Sequence, residues 1–150
     1  MQQQAFKGHK EDFILLAEAG FIAINQADED AALKLFRAAS LLKPDNSLPR
    51  IGMGYLHFLK LELKQASKLF EEVLSVEPEN EMANALLGLS LALTQNETMK
   101  GEKMLEKAAK SAKDPTVKTM ATSAVSFVEQ FIKKPGGMGP GPQAETKKKK

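Results

Sequence analysis

Gly20, Gly54 and Gly88 are evenly spaced, 34 apart, and Ala32/Ala66, Phe36/Phe70 and Pro44/Pro78 keep the same interval. A period of this length with helical chemistry inside each unit describes a solenoid of helical hairpins, in which every unit packs only on its neighbours. Such a chain offers a long surface rather than an enclosed cleft, and this points to binding.

The helical content is read from apolar spacing. Residues 11–25 carry Phe13, Ile14, Leu16, Ala17, Phe21 and Ile24, the i, i+3, i+4 pattern of a helix with a broad apolar face. Gln26 to Glu29 break it. A second helix follows from Glu29 to Leu42 with Ala32, Leu33, Leu35, Phe36, Ala39 and Leu42 inward, and Lys43-Pro44-Asp45-Asn46 ends it. The next hairpin begins at the Asn46/Ser47 cap, tolerates Pro49 in its first turn and runs to Leu61, with a partner from Leu63 to Val76 ending before Glu77-Pro78-Glu79-Asn80.

A third pair spans Glu81 to Thr94 and Met99 to Ala112. Here Lys100 falls in the slot of Ala32 and Ala66, while Gly101, Leu105 and Ala108 restore the pattern if one residue is inserted near Gln95-Asn96-Glu97. Asp114 then caps a last helix running to Lys133, with Pro115 at its first position and Val117, Met120, Ala121, Ala124, Phe127, Val128 and Phe131 along one side, a fit to the cap that a terminal repeat needs. The residues after it, PGGMGPGPQAETKKKK, have no apolar periodicity and are expected to be disordered. The expected organisation is all-α: an N-terminal segment (1–12), three hairpins (13–114), a capping helix (115–134) and a Gly/Pro/Lys tail (135–150).

Composition narrows function further. At 150 residues, 43% hydrophobic and 27% charged, the chain suffices for one well-buried domain. It has no cysteine, so disulfides, thiolate zinc sites and cysteine nucleophiles are excluded, and a reducing cytosol fits. The start, MQQQAFKGHKEDF, lacks the pattern of a secretory signal, and no segment approaches a membrane span, so a cytoplasmic protein without stable membrane insertion is expected. The net charge of +2 rests on Lys147 to Lys150; without residues 135–150 the body has 17 bases against 18 acids. A body so balanced lacks the footprint of a nucleic-acid binder, and the lysines read as a solvated end or a cloning remnant.

The interval, the small residue of the first helix, the Ala-x-x-x-Phe of the second and the proline after it resemble the tetratricopeptide repeat, shown three times. The resemblance implies that Gly20, Gly54 and Gly88 let the paired helix approach and that Phe36 and Phe70 fill the gap between hairpins. The chain departs from it where Leu16, Arg50 and Asn84 replace the usual large aromatic. The whole layout, including LAEAGFIAINQADEDAALKLFRAASLLKPDN and NALLGLSLAL, is similar to the chaperones of type III secretion systems, in the branch that guards the needle subunit, with the translocator-chaperone branch close behind. The implied partners are a small helical needle subunit and a second small chaperone, with a homodimer through the N-terminal segment or first hairpin as a further option. A general adaptor or scaffold is the alternative from another class.

In tetratricopeptide proteins four positions of each unit line the concave face. Here they are Ile14, Ala17, Phe21 and Ile24; Leu48, Ile51, Tyr55 and Phe58; Met82, Ala85, Leu89 and Ala92, all apolar or aromatic. A surface of this kind calls for a cover, with an amphipathic or extended client segment seated on it. The alternative is that some of these side chains pack between successive first helices, or that the last helix folds back into the groove. The carboxylate clamp of cochaperone repeats is absent, because its positions are Ala17, Phe21 and Gly52.

No catalytic, metal or cofactor site is expected. His9 and His57 are far apart in the chain, and His57 replaces a packing aromatic. Gly52-Met53-Gly54 lies inside a helix with no strand before it, and Gly136 to Gly141 is too proline-rich for a phosphate loop. Asn96-Glu97-Thr98 matches a glycosylation acceptor without the secretory context to use it. Glu71-Glu72 and Asp28-Glu29-Asp30 read as surface and helix-start charges.

Overall fold

A computed structural model describes residue 9 and residues 11–134; the remaining N-terminal residues and the expected disordered tail, 135–150, lie outside the described residues. Seven α-helices follow in order among them: α1 (Asp12–Asn25), α2 (Glu29–Leu42), α3 (Leu48–Leu59), α4 (Leu63–Val76), α5 (Glu81–Ala92), α6 (Thr98–Ser111) and α7 (Pro115–Phe127). The last continues into a π-helical turn, Val128–Ile132, where the α-helix had been expected to run on to Lys133. The ends of α3 and α5 fall two residues short of the expected Leu61 and Thr94.

The helices pair as three hairpins, α1/α2, α3/α4 and α5/α6, stacked in sequence, with α7 added to the end. Successive first helices (α1, α3, α5, α7) pack directly on one another, whereas successive second helices make at most marginal contact. The stack therefore curves with the first helices on its inner side.

Each hairpin turns through one residue in the left-handed region: Ala27 at φ 57°, Leu61 at φ 59° and Asn96 at φ 68°. Ala27 and Leu61 are 34 apart, and Leu61 and Asn96 are 35 apart. The expected inserted residue is thus in the third turn. The loop after α6 absorbs the shift: the buried Val117, Ala121 and Ala124 of α7 follow the buried Ala83, Leu87 and Ser90 of α5 at the original repeat interval.

Units are joined by one ring per junction. Phe36 is fully buried and lies against Gly20 of its own hairpin and Gly52 of the next; a methyl group at those glycines would stand 2.6 Å and 2.4 Å from the ring. Phe70 repeats the arrangement against Gly54, with Leu86 in the place of Gly52. Leu105 takes the third place, packed with Ala92, Ala121, Ala124 and Val128. Gly20, Gly52 and Gly54 thus make room for a ring, whereas Gly88 lets the paired helix approach as expected, meeting Met104, Leu105 and the Gly101 carbonyl oxygen. Gly101 is different: a methyl there would stand 2.2 Å from the Ala92 nitrogen and 2.4 Å from the Gly88 carbonyl oxygen, so α5 and α6 touch backbone to backbone.

Two stability outcomes follow. Gly101→Ala must push α5 and α6 apart and should lower the stability measured by urea unfolding by about 1–3 kcal/mol, whereas Gly88→Ala, with its nearest neighbours at 3.0–3.3 Å, should cost clearly less. Leu61 is 72% exposed in a left-handed turn. Leu61→Gly relieves about 1–2 kcal/mol of strain against a smaller entropic cost of glycine, and should stabilise by about 0.5–1 kcal/mol in the same assay.

Candidate partner-binding face

The inner side of the curve is built from the first helices, and the structure divides the twelve side chains expected there into two sets. Ala17, Ile24, Ile51, Ala85 and Ala92 are buried. They do not line an open surface, because each successive first helix packs on the one before it: Ala92 lies under Ala121, Ala124 and Val128 of α7, and Ile51 joins the cluster that holds Leu86 and Leu87 of α5. The last helix does not fold back into the concavity; it occupies the place of a fourth first helix.

The remaining seven are reachable. Ile14 is exposed, and Phe21, Leu48, Tyr55, Phe58, Met82 and Leu89 are half-buried. Their buried sides fix their positions. Phe21 meets Phe36 edge-on with centroids 5.1 Å apart. Tyr55 packs on the clusters of both the first and the second junction, Phe58 and Met82 on the second, and Leu89 on the third. Leu48 rests on Phe13, Ala39 and Leu42. Phe21, Tyr55 and Leu89 share one repeat position on three consecutive first helices and form the spine of the face.

The face ends at α7. Carried forward by one repeat interval, the positions of Met82, Ala85, Leu89 and Ala92 become Thr116, Thr119, Ser123 and Ser126, all exposed and all hydroxyl-bearing. On α7 the row is therefore polar, although Phe127, Phe131 and Ile132 past it are 45%, 39% and 37% exposed.

The other end of the stack is different. In α3 and α5 the side that meets the preceding unit carries Pro49 and Leu56, then Ala83, Leu87 and Ser90, all buried. The same positions in α1 are Leu15, Ala19 and Ile22, with Leu15 65% and Ile22 56% exposed. Glu18 stands between them, where Gly52 and Leu86 receive the rings of Phe36 and Phe70. This apolar outer face of α1 was missed from the sequence, although projecting the buried positions of the later units back by one repeat would have found it.

Polar links hold the first helices in register. Asp28, Asn80 and Asp114 cap α2, α5 and α7 by accepting from the Ala31, Ala83 and Thr116 amides. Ser47 and Asn80 donate to the Glu77 carboxylate at 2.8 Å, tying the start of α3 to the start of α5. Glu81 accepts from the Lys113 and Asp114 amides at 2.8 and 2.9 Å, tying α5 to the start of α7. The bond from Asn80, then that from Ser47, holds Glu77 below the ordinary carboxylate range, and the Asp114 and Lys113 amides do the same for Glu81. His57, expected to take a packing rather than a catalytic role, is half-buried and pairs with Glu62, which also meets Lys60; Lys60 reaches back to Glu29 of the first hairpin at 2.6 Å. His57 and then Lys60 lower the Glu62 carboxyl. Among the described residues no group of three or more His, Cys, Asp or Glu could hold a metal ion, and no helix is long and apolar enough to cross a membrane.

The sign of the pH dependence follows from these carboxylates. Their folded values are lowered, so their contribution is complete above the unfolded value of about 4.3 and is lost as pH falls through the lowered folded values. The melting temperature should therefore fall between about pH 5 and 3, and the double variant Glu77→Gln/Glu81→Gln should show a shallower fall than the parent.

A comparison with models of known protein families finds no match to this chain, and a comparison with curated proteins finds none either.

Proposed function

We propose that the chain is a tetratricopeptide-type chaperone of a bacterial type III secretion system, which holds a small helical client, the needle subunit, on its concave face before export. The observation that carries this reading is the row of half-buried apolar side chains on three successive first helices, led by Phe21, Tyr55 and Leu89. A subunit that polymerises through apolar helix surfaces would stay monomeric while those surfaces are covered. An amphipathic client helix laid across the row would place its i, i+3, i+4 and i+7 side chains between these residues. Burial of about 800 Å² per partner is ordinary for such a complex, with a few aromatic anchors carrying most of the energy.

A second partner is supported by a separate observation. The outer face of α1 combines Leu15, Ala19 and Ile22 with Glu18, and nothing among the described residues covers it. A two-fold pairing of α1 with its own copy centred on this stripe would bring two Glu18 side chains together. The face therefore suits a second small helical protein better than a homodimer.

Native mass spectrometry of the protein purified from its own host, followed by the denaturing mass of what leaves the complex, tests the reading. A bound protein of the size of a single secretion subunit is expected, and it should be lost from Tyr55→Asp and Leu89→Asp variants whose far-ultraviolet circular dichroism is unchanged. A large folded partner bound reversibly would replace the chaperone reading with that of an adaptor. Variants that keep the small partner would move its seat off this face.

A further inference from the structure

The near balance of bases and acids in the body hides an uneven distribution. Residues 11–96 carry 7 bases against 13 acids, whereas residues 97–134 carry 8 against 5. The basic excess is concentrated on one helix. From Met99 to Lys110 the exposed residues of α6 are Met99, Lys100, Lys103, Lys107 and Lys110. At about 100° per residue the four lysines fall within an arc of about 80° and extend over about 15 Å of the helix. The corresponding positions are Gln65, Lys68, Glu72 and Ser75 on α4, and Ala31, Lys34, Ala38 and Leu41 on α2. The stripe therefore belongs to the last second helix alone.

The protein's own acids do not neutralise it. None of the four lysines takes part in an ion pair among the described residues. The acids of α6 are turned away from the stripe: Glu102 is buried and bonded to Lys133 at 2.8 Å, and Glu106 is half-buried. Like charges at i, i+3 and i+4 spacing repel one another along a helix. An anionic partner would remove that repulsion.

The stripe is bordered at one end by apolar side chains. The Lys133–Glu102 bond brings the turn after α7 to the start of α6, and with it the exposed Phe127, Phe131 and Ile132, beside the exposed Met99. The rings of Phe127 and Phe131 lie 5.0 Å apart. Rings and aliphatic chains beside lysines suit a water–lipid boundary, where apolar groups enter the acyl edge while ammonium groups stay among the headgroups.

Shape and residue choice separate the possible anionic partners. As a second helix, α6 lies on the outer side of the curve and offers a ridge rather than a groove. A peptide finds no walls there, whereas a flat charged surface meets the whole stripe. The last arginine of the chain is Arg50, so this region lacks the bidentate forks that suit the phosphates of a nucleic acid.

We propose that the lysine face of α6 and the apolar end beside it dock the protein peripherally on an anionic lipid bilayer. The inner face of the curve points away from such a contact and stays open.

Co-sedimentation of the full-length chain with phosphatidylcholine vesicles, with and without about 30% phosphatidylserine, tests this. The parent should bind the anionic vesicles and not the neutral ones, and should be released by about 0.5 M salt. One lysine near an anionic leaflet strengthens binding about fivefold, so Lys103→Gln/Lys107→Gln should bind about 10- to 30-fold more weakly. Both positions are exposed, so circular dichroism should not change. Met99→Ser/Phe131→Ser should weaken binding about 3- to 10-fold on the same vesicles, and unchanged binding there would overturn the entry of the apolar end. Replacing Lys147 to Lys150 by glutamine should leave binding in place. No binding to anionic vesicles, undiminished binding by the Lys103/Lys107 variant, or loss on changing only the terminal lysines would overturn the docking face. Capture of an acidic peptide or duplex DNA through Lys103 and Lys107 without any binding to vesicles would overturn it in favour of that partner.

Discussion

The contact of the Phe36 ring with Gly20 behind it and Gly52 ahead of it is the joint on which the rest of the molecule depends. A hairpin of two helices, each of 12 to 14 residues, cannot bury its own apolar surface, so its stability comes from its neighbours. The ring reaches from a second helix into the next first helix and leaves no room for a side chain there. The second junction keeps the ring and fills the space ahead with Leu86; the third replaces the ring with Leu105 and meets the small residues of α7. The three joints differ in shape while using the same positions, which is why the stack tolerates an altered sequence at each level.

That joint also decides which side of the molecule is available. Drawing each second helix onto the following first helix brings the first helices into contact with one another and leaves the second helices apart. The first helices then form a continuous inner wall. Its small and branched residues, Ala17, Ile51, Ala85 and Ala92, close the gaps between them, while Phe21, Tyr55 and Leu89 remain half-open along its middle. The polar links at Ser47, Glu77, Asn80 and Glu81 bind α3 to α5 and α5 to α7, so this part of the wall keeps its spacing.

Much of this was legible in the sequence, because repetition makes one unit predict another. Apolar spacing and the repeat interval located the six hairpin helices, Asp114 and Pro115 marked the start of the seventh, and the inserted residue near Asn96 is visible as a shift in the left-handed position, whereas Ser47, expected with Asn46 to cap α3, gives its hydroxyl to Glu77 instead. The site was only half legible. Apolar character alone does not separate a side chain facing a partner from one facing the next helix, so Ala17 and Phe21 looked alike although one is sealed and the other is not. Size would have helped: the sealed residues, Ala17, Ile24, Ile51, Ala85 and Ala92, are all Ala or Ile that fit between packed helices, and the reachable spine is large. The outer face of α1 was hidden for the opposite reason, since Leu15 and Ile22 look like ordinary core positions until the described helices are seen to leave them uncovered. The π-helical turn after α7 has no sequence signal that we can identify.

The central claim is that the reachable spine of the first helices, and not the backs of the second helices, is the surface that a partner covers. Hydroxyl-radical footprinting of the protein with and without its co-purified partner measures this directly. The account predicts strong protection at Phe21, Tyr55, Met82 and Leu89, with Leu41 and Val76 on the second helices, 63% and 75% exposed, oxidised equally in both states. Protection at Leu41 and Val76 with an unchanged spine would contradict it.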